Sequence, residues 1–393
     1  MRRIGIYGGA FNPPHNGHIA GAQYAIDALE LDKMLLIPSC VSPHKPQPEN
    51  SPSAIQRLEM LRIAAADPRM EVSDLELARG GTSYTYETVE QIKTQYPDCE
   101  LVLLMGTDMF LSFDRWRQPE RILKHAALGV MYRGDRDEEA EIQKKKAQME
   151  QNGNTVYLVK NPVTVISSTD LRRMLRFSCA DPYLPAGVPE YIRQNGLYGT
   201  EKDLRNLSVE DLEKEIISLH DPKRVPHVLG CRDAAVELAR IWGADETDAA
   251  RAGLLHDITK ALGSKLQLTL CQQYGAEPDE FSRRNPKILH AFTGSLVARR
   301  IFGENDAVAD AICTHTAGKA GMNILQKIIY VADYMEPNRN FDGVEELRQL
   351  AHTNIDKALE MGLLWATDIL HQQGREVSPD SIACLQELAA ISE

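Results

Sequence analysis

The chain has 393 residues, of which 43% are hydrophobic and 25% are charged, and its formal net charge is −12. At about 150 residues per domain this length predicts two or three globular domains. The acidic balance argues against a general nucleic-acid binder, and no apolar run approaches the ~18 residues of a membrane span. The seven scattered cysteines lack Cys-x-x-Cys spacing, which indicates reduced thiols and a cytoplasmic protein.

The first eighteen residues combine a strand, a tight turn and the start of a helix. A β-rich run from Ile4 ends in Gly8 and Gly9, and a helical pattern begins a few residues later. His15 and His18 are three residues apart, so both can face one side of the first helical turn. Helix N-terminal amides attract anions, and paired glycines let the backbone approach a ligand closely. The stretch therefore predicts an anion site.

The rest of the first half alternates between strands and helices. Strands are predicted near 33–37, 70–73, 101–108, 126–132 and 155–159. This alternation indicates an α/β fold with a doubly wound parallel sheet and right-handed crossovers. The charge-dense stretch 133–154 is expected to be a solvated surface helix without chemistry.

Several polar segments lie where ligands bind in such sheets. Gly106 and Asp108 end a strand, and Asp108 suits either a ribose or a helix cap. The hydroxyls at 167–169 precede a helix, where they form an N-cap or, with Arg172, a second anion site. The hydroxyls at 82–88 either cap a helix or line a polar pocket. In the proline-rich loop 38–53, Lys45 either places a cation at the site or is a solvated surface lysine.

These motifs together closely resemble the bacterial nicotinate-mononucleotide adenylyltransferases over residues 1–199. The resemblance implies that ATP, with Mg²⁺, is held by Gly8, Gly9, Phe11, His15, His18, Lys45, Gly106, Asp108, Ser167, Ser168, Thr169 and Arg172. It implies catalytic roles for His15, His18, Lys45 and Arg172. It also implies that nicotinate mononucleotide is the second substrate, with its ring near Thr82, Tyr84, Thr85 and Trp116.

One alternative for this half is a phosphopantetheine adenylyltransferase, which shares the His-x-Gly-His start. The Gly-Thr-Ser-Tyr-Thr segment that begins at Gly81 and the later Trp116 argue against it. No protein nucleophile is required in either case, because a mononucleotide phosphate is itself nucleophilic at neutral pH.

The alternation of strands and helices stops near residue 199, and helical apolar periodicity continues from there. We therefore expect a nucleotidyltransferase domain over 1–199 and an all-α domain over 200–393. Histidines and acids recur in the second domain, at His227, His256, Asp257, His290, His315 and Asp333. A buried acid is costly without a partner, and a metal ion would satisfy both the acids and the histidines.

This order of ligands resembles the HD-domain phosphohydrolases in their two-metal form. The fuller pattern includes His-Thr-Ala-Gly at 315–318 and Ala-Asp-Tyr-Met-Glu-Pro at 332–337. It is similar to the bacterial HD-domain hydrolases that split diadenosine tetraphosphate symmetrically into two ADP. The resemblance implies Asp257 as a bridging ligand, with Lys260 and Arg339 as phosphate partners. Mixed imidazole and carboxylate ligands favour iron or manganese over magnesium. Hydrolysis of another nucleotide, or a nucleotide-sensing module, remains an alternative, and the sequence leaves open whether the chain forms a homo-oligomer.

Overall fold

The computed structural model describes residues 2–41, 48, 51–132, 136–161 and 166–392. The chain divides into two compact units, Met1–Glu201 and Lys202–Glu393. The division lies close to the domain boundary expected from the change in sequence pattern. Lys45, the predicted catalytic lysine, lies outside the described residues.

Parallel strands form the sheet of the N-terminal unit. The strands in its described part are β1 (Arg3–Gly9), β2 (Lys33–Pro38), β3 (Met70–Val72), β4 (Glu100–Gly106), β5 (Ala126–Tyr132) and β6 (Val156–Lys160). They are hydrogen-bonded in the order β3-β2-β1-β4-β5-β6, with every pair parallel. The predicted α/β doubly wound sheet is therefore confirmed, and the strand order reverses between β1 and β4.

Helices lie between these strands in the chain and also follow the last strand. They are α1 (Asn16–Ala28), α2 (Ala54–Ala64), α3 (Leu75–Arg79), α4 (Thr85–Gln95), α5 (Thr107–Leu111), α6 (Pro119–Leu123), α7 (Arg136–Gln151), α8 (Ser168–Arg176) and α9 (Val188–Gln194). Short 3₁₀ turns occur at Phe113–Arg115, Asp181–Tyr183 and Leu197–Gly199.

Strand β4 shows why the sheet is covered on both faces. Leu103 and Met105 belong to one hydrophobic core, whereas Val102 and Leu104 belong to the other. Successive side chains of a strand point to opposite faces, so an unbroken apolar run needs a core on each side. The sheet thus carries two cores, and only the strand ends are left for polar chemistry.

Helix α7 differs from the prediction of a solvated surface helix. Ile142 and Met149 are buried in the core beneath it. These residues are seven apart and lie on one side of the helix, while three lysines and two glutamines stand between them. The expectation of a fully solvated helix is therefore wrong for this face.

The C-terminal unit is helical throughout its described residues, as predicted. Its helices are α10 (Val209–Leu219), α11 (Val225–Trp242), α12 (Glu246–Leu255), α13 (Ser264–Tyr274), α14 (Glu280–Arg284), α15 (Pro286–Arg300), α16 (Asp306–Thr314), α17 (Ile324–Met335), α18 (Val344–Thr353), α19 (Ile355–Gln372) and α20 (Pro379–Ser392). Helix α11 packs against α12 and α17, and α15 packs against α16. Within the described ranges, none of the helices combines the length and apolar character needed to cross a membrane.

Candidate active sites

A cavity of about 920 Å³ opens at the carboxyl ends of β1 and β4. This is the point where the strand order reverses, and doubly wound sheets bind ligands in that crevice. Most of the residues predicted from the sequence for this half line it. They are Gly8, Gly9, Phe11, His15, His18, Thr85, Gly106, Asp108, Trp116, Ser167, Ser168, Thr169 and Arg172.

Thr82 and Tyr84 are not among the residues that line this cavity. Thr82 forms an isolated parallel bridge with Val41. The ring of Tyr84 stacks on Tyr86 with centroids 6.0 Å apart and lies 4.4 Å from the guanidinium carbon of Arg117. These contacts occupy both residues elsewhere, so their predicted place beside the nicotinate ring stays a prediction.

The two histidines of the first helical turn form a stacked pair. Buried His15 immediately precedes α1, and its ring centroid is 3.6 Å from that of His18. The backbone N–H of His15 donates to Nδ1 of His18 over 3.3 Å, which leaves the proton of a neutral His18 ring on Nε2. Burial lowers the pKa of His15 to about 4, and burial together with His15 lowers the pKa of His18 well below its usual value. Both rings are therefore neutral hydrogen-bond donors at neutral pH.

Gly8 leaves room in the cavity. A Cβ atom at Gly8 would meet no protein atom within 4 Å. Packing among the described residues therefore gives no reason for glycine at this position, whereas a ligand approaching the backbone would.

Ser167 is the N-cap of α8, one of the two roles expected from the sequence, and its predicted role in anion binding stays a prediction. Its Oγ accepts a hydrogen bond from the backbone N–H of Asp170 over 3.0 Å, which caps α8. The same residue lines the cavity beside Thr169. The cap orients the start of α8, and its free amides can still meet an anion.

Four histidines of the C-terminal unit surround one buried carboxylate. Asp257 Oδ2 lies 3.6 Å from His227 Nε2 and 3.4 Å from His256 Nε2. Asp257 Oδ1 lies 3.2 Å from His290 Nε2 and 3.6 Å from His315 Nε2. The Nε2 atoms are 3.2 Å apart within each pair. The two oxygens of Asp257 thus divide the histidines into two pairs.

Asp333 joins the first pair. Its Oδ1 lies 3.2 Å from His227 Nε2 and 4.0 Å from His256 Nε2. Ligand atoms of His227, His256 and Asp333 lie within 4.8 Å of one another, as do those of His256, Asp257 and His315. All six predicted metal ligands therefore lie in one cluster.

The hydrogen bonds behind the histidines show that the cluster suits a metal. Nδ1 of His256 donates to the Gly253 carbonyl over 2.7 Å, and Nδ1 of His315 donates to the Ile312 carbonyl over 2.7 Å. Because the carbonyl accepts the Nδ1 hydrogen, Nε2 of each ring points into the cluster, where its lone pair is available to a metal ion once Nε2 carries no proton. Asp257 Oδ1 is a buried oxygen that lacks a hydrogen-bond partner among the described residues. Converging lone pairs and an unpaired carboxylate oxygen fit transition-metal ions.

Glu336 fixes a third histidine. Its Oε1 lies 3.1 Å from His227 Nδ1, which directs Nε2 of that ring toward Asp333 and His256. Glu336 is 1% exposed, and its Oε2 accepts from the backbone N–H of Asn338 over 2.7 Å. A carboxylate behind a metal-binding histidine orients the ring and raises its basicity.

Three cations face the carboxylates of the cluster. Lys260 Nζ lies 3.1 Å from Asp257 Oδ2, and Arg224 donates to the same oxygen. Arg339 donates to Asp333 Oδ1 over 2.5 Å. Burial opposes ionisation of Asp257, but the facing histidines outweigh it and hold the pKa of that carboxyl well below its usual range.

Comparison with known proteins agrees with this division of the chain. The cytidylyltransferase-like family model matches residues 6–174, and the HD domain model matches residues 224–338. A probable nicotinate-nucleotide adenylyltransferase of Idiomarina loihiensis is 35% identical over 206 residues, which are 49% of this chain and 98% of the relative. Another, of Marinobacter nauticus, is 37% identical over 210 residues, 49% of this chain and 95% of the relative.

The chain belongs to the nicotinate-nucleotide adenylyltransferase family. The match covers its N-terminal half, and the C-terminal half adds an HD domain. Among solved structures, a predicted HD superfamily hydrolase involved in NAD metabolism from Clostridium acetobutylicum is 34% identical, with a TM-score of 0.46, over 47% of this chain and 98% of that one. A Plasmodium falciparum nicotinic acid mononucleotide adenylyltransferase complexed with NaAD is 18% identical, with a TM-score of 0.42, over 51% of this chain and 99% of that one.

The adenylyltransferase half also contains a positioning residue that the sequence analysis missed. Arg57 is fully buried and donates to the Ala10 carbonyl over 2.6 Å and to the Ser39 carbonyl over 2.7 Å. These bonds join the chain just after β1 to the chain just after β2, at the edge of the cavity. An arginine in the middle of a helix gives no signal of this role in the sequence.

A second missed contact ties the end of this half to its first loop. Tyr198 Oη donates to Asn12 Oδ1 over 2.8 Å, and Arg172 donates to the Asn12 carbonyl over 2.9 Å. Arg172 also donates to Thr169 Oγ1 over 3.2 Å. The predicted phosphate-binding arginine is thereby fixed to the loop that carries His15.

Proposed function

We propose that the N-terminal unit transfers the adenylyl group of ATP to nicotinate mononucleotide, giving deamido-NAD and pyrophosphate. The observation that carries the proposal is the cavity at the β1–β4 reversal, which is lined by His15, His18, Arg172 and the hydroxyls at 167–169. The names of the relatives described above support the choice of substrate.

In this reaction a phosphate oxygen of the mononucleotide bonds to the α-phosphorus of ATP, and the bond from that phosphorus to the α–β bridging oxygen breaks. The neutral rings of His15 and His18 can donate to phosphate oxygens, and Arg172 adds a fixed positive charge as pyrophosphate leaves. Mg²⁺ accompanies the triphosphate and neutralises part of its charge. Thr85 and Trp116 line the cavity and are the better placed of the four residues predicted at the nicotinate ring.

A substrate panel tests this proposal. The purified protein, given ATP and Mg²⁺, should form a dinucleotide from nicotinate mononucleotide. Chromatography detects the dinucleotide, and an assay for pyrophosphate measures the second product. Nicotinamide mononucleotide and phosphopantetheine serve as competing acceptors. Preferred turnover of phosphopantetheine would contradict the proposal, and preferred turnover of nicotinamide mononucleotide would correct the substrate within the same family.

We further propose that the C-terminal unit is a metal-dependent hydrolase that splits diadenosine tetraphosphate into two molecules of ADP. The supporting observation is the division of four histidines into two pairs by the two oxygens of Asp257. His227, His256 and Asp333 would hold one ion, His290 and His315 the other, and Asp257 both. Iron or manganese bound there would supply positive charge at a phosphate oxygen and activate water.

The charges around the cluster favour a substrate with several phosphates. Three carboxylates face three cations here: Arg224 and Lys260 pair with Asp257, and Arg339 pairs with Asp333 and Glu336. Since the protein charges balance, the charge of bound divalent ions requires an anionic ligand. A polyphosphate chain meets that need, with Lys260 and Arg339 beside it.

The products identify the position of the cut. In a symmetric cut one water is consumed, its oxygen bonds to an inner phosphorus, and the bond from that phosphorus to the central bridging oxygen breaks. Each half then leaves as ADP. We expect chromatography to detect ADP alone when the manganese- or iron-loaded protein is given diadenosine tetraphosphate.

Other outcomes are distinguishable. AMP plus ATP would indicate an asymmetric cut and contradict the proposed position of the polyphosphate at the metals. Tight nucleotide binding without turnover would instead favour a nucleotide-sensing module. A cytoplasmic location is part of both proposals, because ATP is used there and all seven cysteines are free thiols.

A further inference from the structure

We propose that Arg224 is a third phosphate-binding residue of the C-terminal site and that metal binding at Asp257 makes its guanidinium available to the substrate. The inference rests on the proposed metal centre. The proposed hydrolysis uses Lys260 and Arg339 as phosphate-binding residues, and it gives Arg224 no contact with the substrate.

The position of Arg224 follows from the start of α11. It immediately precedes the helix and lies three residues before His227, so both side chains reach the same side of the first turn. Its Nη2 donates to Asp257 Oδ2, the oxygen that faces His227 and His256. The arginine therefore lies at the edge of the predicted metal cluster.

Metal ions and Arg224 compete for one oxygen. Asp257 Oδ2 is approached by Arg224 and by Lys260, and it is also the oxygen that an ion between His227 and His256 would bind. Repulsion between that ion and the guanidinium weakens the ion pair. Because Arg224 precedes the helix and has a long side chain, its guanidinium can turn away while its backbone stays in place.

Arg224 and Arg339 differ in the contacts that they make besides their ion pairs with the carboxylates. Arg339 donates through Nε to the backbone carbonyl of Asp333 over 2.8 Å, so it stays anchored whatever the carboxylate does. For Arg224, Nε is buried and lacks a hydrogen-bond partner among the described residues. Its side chain is 32% exposed, which leaves it accessible to a ligand. A guanidinium with unused donors suits bidentate binding of phosphate.

The test compares the full-length chain with Arg224→Gln, Arg224→Lys and the control Arg240→Gln. Arg240 lies on the same helix and pairs with Glu246 at the surface. Manganese content is measured by elemental analysis, and ADP binding is measured by calorimetry with and without manganese. The adenylyltransferase unit is identical in all four proteins, so differences between them report the C-terminal site.

We expect Arg224→Gln to keep the wild-type manganese content and to weaken ADP binding by the manganese-loaded site by about 10–100-fold, the scale for a charge-assisted hydrogen bond. The affinity of Arg224→Lys for ADP should lie between those of the wild type and Arg224→Gln, and the affinity of Arg240→Gln should match the wild type. Without manganese, wild type and Arg224→Gln should bind ADP equally.

Three results would overturn the inference. Unchanged ADP binding by manganese-loaded Arg224→Gln would remove Arg224 from the phosphate site. Loss of manganese together with ADP would mean that Arg224 orients the ligand Asp257 instead. A wild-type chain that binds no manganese or iron would overturn the proposed metal centre itself, and with it the competition on which the role of Arg224 depends.

Discussion

Histidines do two different tasks in the two halves of this chain. His15 and His18 are directed to a cavity, where their hydrogens can meet phosphate oxygens. The rings of His256 and His315 donate through Nδ1 to backbone carbonyls and point Nε2 into the cluster of predicted metal ligands. The partner of the second ring nitrogen therefore decides whether each ring serves as a donor to a ligand or as a ligand for a metal.

Replacement of His18 tests the first task. We expect His18→Ala to lower kcat for adenylyl transfer by ~10²–10³-fold, the scale for one donor that acts in the transition state. The control is His125→Ala in the same unit, whose side chain does not line the cavity as described. Circular dichroism verifies folding. Near-normal turnover by folded His18→Ala would show that the helix amides bind phosphate unaided.

The pKa of His15 predicts how acid affects stability. Burial lowers it to about 4 from the ordinary value of 6.5, so the folded state binds fewer protons than the unfolded state in this range. The contribution of buried, neutral His15 to the free energy of unfolding is complete above pH 6.5 and is lost as the pH falls toward 4. Urea denaturation at pH 7.5 and 5 should show that His15→Gln loses less stability on acidification than wild type, by about 1–2 kcal/mol. Equal losses would contradict the shift.

At the scale of helices, each histidine pair belongs to one packed pair of elements. His227 lies on α11 and His256 directly follows α12, which packs against it. His290 lies on α15 and His315 directly follows α16, its neighbour. Asp257 joins the two helix pairs through its two oxygens.

This arrangement predicts how metals are lost. We expect two ions per chain, with His290→Ala removing mainly one and Asp257→Ala disturbing both. Elemental analysis of purified protein measures the stoichiometry, and His352→Ala, a surface histidine paired with Glu237, is the control. One ion per chain, unaffected by His290→Ala, would instead indicate a mononuclear site.

The sequence predicts strands, helices and turns well where a local pattern determines them. The apolar runs of β2 and β4 and the turn before His15 are recognisable because period and glycine placement are local properties. Arg57 and the buried face of α7 are not, because their roles depend on residues that only the fold brings near. For the same reason the sequence does not reveal that Thr82 and Tyr84 are absent from the residues that line the cavity, and their place at the nicotinate ring stays a prediction.

At the scale of the whole molecule, each unit carries its own set of site residues. The residues that line the cavity of the adenylyltransferase half lie between Ile6 and Arg172, and the predicted metal ligands lie between His227 and Asp333. Near the end of the first half, Tyr198 donates a hydrogen bond to Asn12, a residue that lines the cavity.

We therefore expect a fragment of residues 1–201 to fold and to transfer adenylyl groups with a kcat within a few-fold of that of the full chain. A fragment that ends at residue 195 lacks Tyr198 and should have a higher KM for ATP. Steady-state kinetics on both fragments provides the measurement. Inactivity of fragment 1–201 beside an active full chain would mean that the helical half completes the site.

The two histidine pairs have a consequence for the integrity of the helical half. If the proposed ion is bound by His227, His256 and Asp333, it would cross-link segments about a hundred residues apart in the chain, and a ligand that binds only the folded state stabilises that state. The folded lifetime of the helical half would then depend on the supply of metal. Under the proposed functions, removal of iron or manganese would unfold this half and leave adenylyl transfer by the other half in place.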